Sequence, residues 1–158
     1  MKSLLALVSV VFILGCAAAL AVEKGDHVSV EYTGMLENGT IFDSSAGRAA
    51  LEFDAGAGQM IKGFDDAVIG MRKGDEKNVT IRPEDAYGMP DPKNIIEVPL
   101  ANLPNGTKAG DTLYAGGQPV RVVEIRNSTA VIDTNHFLAG KTLIFRIKIV
   151  DIVKPGPK

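Results

Sequence analysis

Four short stretches hold the residues through which this chain could do chemistry: Tyr32-Thr33-Gly34, Phe42-Asp43-Ser44-Ser45, Asp85-Ala86-Tyr87-Gly88 and Leu143-Ile144-Phe145. They combine aromatic and apolar side chains with one candidate for a buried carboxylate, Asp43, and two phenols, Tyr32 and Tyr87. None of them holds an activated nucleophile, a general-base pair or a metal cluster. Such a set suits a reaction driven by shape and desolvation rather than by bond making. Phe53, Ile61 and Phe64 extend the apolar set. Roughly half of these aromatics would fill the core of any domain this size. Their placement beside Gly, Asp and turn residues favours a lined pocket.

The elements that must carry these residues read as mostly β. His27 to Tyr32 alternates with period two, the pattern of a half-buried strand. Glu37-Asn38-Gly39-Thr40 predicts a hairpin turn, because Asn-Gly supplies the positive φ such a turn needs. Ile41-Phe42-Asp43 restarts the strand, Ser44 to Ala50 reads as a bulge or loop, and Leu51-Glu52-Phe53 resumes alternation. Ile61, Phe64 and Val68 recur at helical spacing, and Gly70 closes that short helix. Glu76 to Arg82 alternates again until Pro83. After the rigid Met89-Pro90-Asp91-Pro92 comes a second β-rich piece, with an apolar run from Ile95 to Leu100 and alternation from Pro119 to Ile125. A long closing strand, Thr142 to Val153, sets Leu143, Phe145, Ile147 and Ile149 on one face. The expected fold class is α+β: one antiparallel sheet curled over one short helix, with a small β-rich insert.

Length and composition narrow the function. The chain has 158 residues, enough for one ordinary domain with an insert. Residues 1–21 contain Lys2 and no acid, so the 17 basic residues become 16 against 19 acidic ones in the remainder. No basic patch calls for nucleic acid. Two isolated histidines, His27 and His136, do not make a metal site, and nothing calls for a cofactor. His136 reads instead as a hydrogen-bonded structural residue of its turn.

The N-terminus reads as a targeting segment, with Lys2 before an apolar run from Leu4 to Leu14. Three fates are open. Ala19-Leu20-Ala21 fits a signal-peptidase site that would release a chain starting at Val22. Ile13-Leu14-Gly15-Cys16 resembles a lipoprotein box with Cys16 as the lipidated residue. The run from Ser3 to Val22 is also long enough for an uncleaved anchor. Each places the body outside the cytoplasm, tethered to a membrane or secreted. Cys16 is the sole cysteine, so the body has no disulfide. Asn38, Asn78, Asn105 and Asn127 each begin an Asn-x-Thr sequon, four of seven asparagines, where chance gives about one. They are candidate N-glycosylation sites, although Asn-Gly-Thr is also good turn chemistry.

From about Gly25 to Val153 the chain resembles FKBP-type peptidyl-prolyl isomerases of the SlyD-like branch. The resemblance rests on Val30-Glu31-Tyr32-Thr33-Gly34, Asn38 to Ser45, Ile61-Lys62-Gly63-Phe64, Gly70 to Asp75, Asp85-Ala86-Tyr87-Gly88 and Asn135 to Leu143, and on an insert just after the Tyr-Gly turn. It implies a curled FKBP-like domain over residues 22–88 and 135–154, and an insert-in-flap chaperone domain over 89–134. It implies catalytic roles for Tyr32, Phe42, Asp43, Ile61, Phe64, Tyr87 and Phe145. Phe64 would form the pocket floor, where the family usually has an indole; this chain has no Trp. Asp43 would hydrogen-bond Tyr32 and bias the local field. The Ile61 N–H and the Tyr87 hydroxyl would hold substrate carbonyls. Further substrate contacts would come from Leu51, Phe53, Met60 and Leu143, and from Ile95, Ile96 and Val98 of the insert. Leu103, Leu113, Tyr114, Val120 and Val122 are further candidates for a capture surface. The implied substrates are unfolded exported polypeptides with X-Pro bonds, bound by a monomer. The residues also admit a rival: a non-catalytic module of the same fold that only holds unfolded chains.

Overall fold

A computed structural model describes residues 20–156. The expectations on Cys16 and on the rest of residues 1–19 lie outside them. Among the described residues no helix is long and apolar enough to cross a membrane.

The larger sheet has five antiparallel strands: β1 (His27–Leu36), β2 (Ile41–Ser44), β3 (Leu51–Asp54), β4 (Glu76–Ile81) and β9 (Leu143–Val153). β1 is central. Its first half pairs with β3 and its second half with β2 along one edge, while β9 runs the length of the other. β4 closes the far side of β9. The alternation of β1 and β9 sends Val28, Val30, Leu143, Phe145, Ile147 and Ile149 to one face, all buried. Across that face lies α1 (Lys62–Val68), seven residues long and without a side-chain cap. Such a helix cannot hold itself; burial of Phe64, Ala67 and Val68 holds it. Gly63 makes the approach possible, since a Cβ there would stand 2.4 Å from Ile81 Cγ2. Gly70, at φ 82°, follows the helix as its sequence position implied.

Residues 95–133 build a second sheet, in the order β5 (Ile95–Pro99), β8 (Thr129–Asp133), β7 (Gln118–Ile125) and β6 (Thr112–Ala115). β6 was not evident in the sequence: Thr112-Leu113-Tyr114-Ala115 is short, lies between glycine turns and is held by register with β7. This sheet has its own small core of Val120, Val122, Ala130 and Ile132. The two crossings between the sheets are tied together. The Gly140 N–H donates to Gly88 O at 2.7 Å, and the Asp91 N–H donates to Asn135 Oδ1 at 2.8 Å while Asn135 Nδ2 donates back to Asp91 O at 3.1 Å.

Candidate functional site

The register of β1 on β9 sets Gly34 opposite Phe145 and Tyr32 opposite Ile147. Gly34 is required there. A Cβ on it would fall 2.6 Å from Phe42 Cζ and 2.9 Å from Phe145 Cε1. In its absence these two rings meet edge to face above the strand, with centroids 5.6 Å apart. Phe64, delivered by α1, packs edge to face on Phe145 at 5.2 Å and on Tyr32 at 5.9 Å. The result is a cleft of about 430 Å³ with Phe64 at its base. Tyr32, Phe42 and Phe145 wall one side; Leu51, Met60, Ile61 and Tyr87 complete it, with Asp43 and Gln59 as the polar members.

The loop between β3 and α1 carries Gln59, Met60 and Ile61, and a buried carboxylate shapes it. Asp65, 6 % exposed, accepts the N–H groups of Gly56 at 2.6 Å and Gly58 at 3.1 Å. The Ile61 N–H stands at the mouth of the helix and makes no hydrogen bond among the described residues, nor does the Tyr87 hydroxyl. Both are free to donate to a ligand.

The acidic rim is a short network. The Tyr32 hydroxyl donates to Asp43 Oδ2 at 2.6 Å, and Asp43 Oδ1 accepts from the Ser44 N–H at 2.8 Å and from Arg48 Nη2 at 2.6 Å. Ser45 pins this segment to β1, its hydroxyl accepting the Tyr32 N–H at 2.9 Å. The Tyr32 hydroxyl, aided by Arg48 and the Ser44 N–H, holds the Asp43 carboxyl below the usual range against partial burial. Burial and then Asp43 push the Tyr32 hydroxyl up to about 12. Burial, with the Asp43 charge, also raises Tyr87. At neutral pH both phenols are therefore donors and Asp43 is an anion. No group here titrates as a general base would.

Several expected residues stand elsewhere. Asp43 is not buried; it sits at the rim with 47 % of its side chain exposed, which lets it keep its charge. Phe53 is 2 % exposed and packs behind Phe64 at 5.8 Å, so it supports the cleft without lining it. Leu143 is fully buried, because the period of β9 sends it to the core beyond Phe145. In the smaller sheet Val98, Leu103 and Leu113 pack on the core and Val120 and Val122 form it. Only Ile95, Ile96 and Tyr114 of that set are exposed. Arg48 and Gln59 were not visible beforehand, since nothing in their sequence context marks them. The same is true of the contact His136 makes with Tyr87, whose rings lie 3.8 Å apart and parallel.

An aromatic cleft between a curled antiparallel sheet and one short helix defines an FKBP-like fold. Residues 19–150 match the family of FKBP-type peptidyl-prolyl cis-trans isomerases. The chain is 38 % identical to the short-type peptidyl-prolyl cis-trans isomerase of Methanocaldococcus jannaschii, covering 83 % of this chain and 94 % of that one. It is 32 % identical to a probable FKBP-type 16 kDa isomerase of Pseudomonas fluorescens, covering 82 % and 90 %. It is 31 % identical to the isomerase SlyD of Escherichia coli, covering 84 % and 71 %. The chain belongs to the FKBP-type peptidyl-prolyl cis-trans isomerase family and is a rotamase of its SlyD-like branch.

Proposed function

We propose that the cleft between β1, β9 and α1 is where an X-Pro bond rotates, and that the smaller sheet captures unfolded chains for it. The planar amide resists rotation with a barrier of about 20 kcal/mol because resonance is lost on twisting. The twisted bond sheds the charge separation of the planar form and needs less water around its oxygen. An apolar floor of Phe64 with walls of Phe42 and Phe145 favours the twisted state over the planar one. The Ile61 N–H and the Tyr87 hydroxyl hold substrate carbonyls and so fix the proline ring over Phe64. Asp43 keeps the Tyr32 hydroxyl directed at the rim and sets a field beside the twisting bond. No proton changes hands.

The observation that carries this reading is an open, aromatic cleft with two unengaged donors. A protease-coupled assay on a short Ala-Pro peptide tests it. Asp43→Ala and Tyr87→Phe are each expected to lower turnover without moving the melting temperature, and unchanged rates in both would remove these roles. Capture is supported by Ile95, Ile96 and Tyr114, which leave apolar surface open on the two edge strands β5 and β6. Edge strands with apolar side chains accept extended segments by strand addition.

We also infer that the protein works outside the cytoplasm. The asparagines of all four sequons are exposed and none lines the cleft, which supports N-linked glycans at Asn38, Asn78, Asn105 and Asn127. Ala21 bridges to Arg72, its carbonyl accepts Lys154 Nζ at 3.0 Å, and Val22 is 1 % exposed. These contacts favour the fates in which Ala21 stays on the mature chain, lipidation at Cys16 or an uncleaved anchor. Intact-mass measurement of the protein from its own cells reads cleavage, lipid and sugar separately. A mass matching an unmodified chain from Val22 would reject both the retained Ala21 and the glycans.

A further inference from the structure

Tyr87 lies just before the first crossing into the smaller sheet and is 39 % exposed. Its hydroxyl has no partner within the described chain, so the ring must be held by its faces. His136, 49 residues away in sequence and on the second crossing, supplies that hold. The two rings are parallel to within 2°, with centroids 3.8 Å apart. Phe137 stacks against His136 in turn at 4.8 Å. His136 is itself fixed: its Nδ1 accepts the Leu138 N–H at 3.2 Å, and its neighbour Asn135 is bonded to Asp91 across the two crossings.

We propose that His136 is a positioning residue for the isomerase reaction, holding the Tyr87 phenol at the height where its hydroxyl meets a substrate carbonyl. This rests on the reading that the Tyr87 hydroxyl donates to substrate. It also makes the rim of the cleft depend on the crossings that carry the smaller sheet, since Tyr87 adjoins one and His136 lies on the other. The Leu138 bond that fixes the ring needs an unprotonated Nδ1. Nδ1 is an acceptor in the structure, so protonation there turns a donor toward the Leu138 N–H and breaks that bond. Partial burial among its neighbours lowers the His136 pKa below the ordinary histidine value. The charged groups around the ring are Asp133, Arg121 and Lys141, which share a cavity with it, and Asp43 beyond Tyr87. Asp133 is engaged by the Asn135 side chain and N–H. Turnover should therefore hold above the His136 pKa and decline as pH falls through it.

The test is a double-mutant cycle on tetrapeptide turnover, with melting temperatures taken alongside. His136→Ala should lower kcat/KM about two- to twelve-fold, the worth of one aromatic stacking pair. In a Tyr87→Phe background the same change should do nothing further, because the hydroxyl it positions is gone. His136→Phe keeps the stack without a titratable ring; it should restore most of the lost turnover and abolish the decline at low pH. Additive losses in the cycle, or a His136→Phe variant as slow as His136→Ala, overturn the proposal. If Tyr87→Phe alone has no effect, it is the Tyr87 reading that fails, and the two failures are distinct. Should His136→Ala not fold, the pH profile of His136→Phe against the parent still decides.

Discussion

The two sheets of this protein treat apolar surface in opposite ways. The larger one buries Phe53, Phe64, Val68 and the inner face of β1 and β9, and opens its aromatic cleft where Gly34 leaves room. The smaller one closes over four residues and leaves Ile95, Ile96 and Tyr114 in solvent. Rigid packing suits a site that must discriminate between two geometries of one bond. A thinly cored sheet with apolar edges suits loose capture of many sequences. That difference is the basis of our proposal that the larger sheet does the chemistry and the smaller one the recruitment.

The widest separation between them should appear in stability. Phe64→Ala is expected to cost about 3–5 kcal/mol, since it removes a buried ring that packs on Phe53, Tyr32 and Phe145. Ile96→Ala, at a residue 44 % exposed, should stay within about 0.5 kcal/mol. Chemical denaturation of both variants checks this, and equal losses would erase the contrast. Replacing residues 89–134 by a short loop should reduce activity on unfolded proteins far more than on tetrapeptides; equal losses on both would reject the capture role. Gly34→Ala should cost most of the turnover, because its Cβ forces apart the Phe42 and Phe145 rings, while binding of unfolded chains persists. Asp65→Asn should raise KM more than it changes stability, through the loop that carries Met60 and Ile61.

The smallest effect concerns pH. Burial works to raise the Asp26 carboxyl, but Lys154 and the Glu23 N–H outweigh it and hold it below the ordinary value. Its contribution is present above the unfolded carboxylate pKa and is lost as pH falls through the lower folded one. Melting temperature should therefore drop on the acid side of pH ~4, and Lys154→Met should shrink that drop.

Much of this was legible beforehand because it is local. The period-two runs of β1 and β9 announced the buried face, and Ile61, Phe64 and Val68 announced α1. Motif and geometry coincide at Tyr32, Phe42, Phe64, Tyr87 and Phe145, which all line the one cleft. Phe53 and Leu143 are buried off the cleft lining, a placement not legible in sequence because alternation tells which face a residue takes, not how far along the strand the cleft extends. Arg48, the β6 pairing and the stack of His136 on Tyr87 were invisible because each depends on segments that meet only after the chain folds.

The central claim is that the cleft speeds rotation by sheltering a twisted amide, with no proton in flight. Its most direct test is kcat/KM for an Ala-Pro tetrapeptide in ordinary and heavy water, at pH values where the rate is flat. Equal rates in the two solvents are expected. A rate markedly slower in heavy water would place a proton transfer in the transition state and contradict the account.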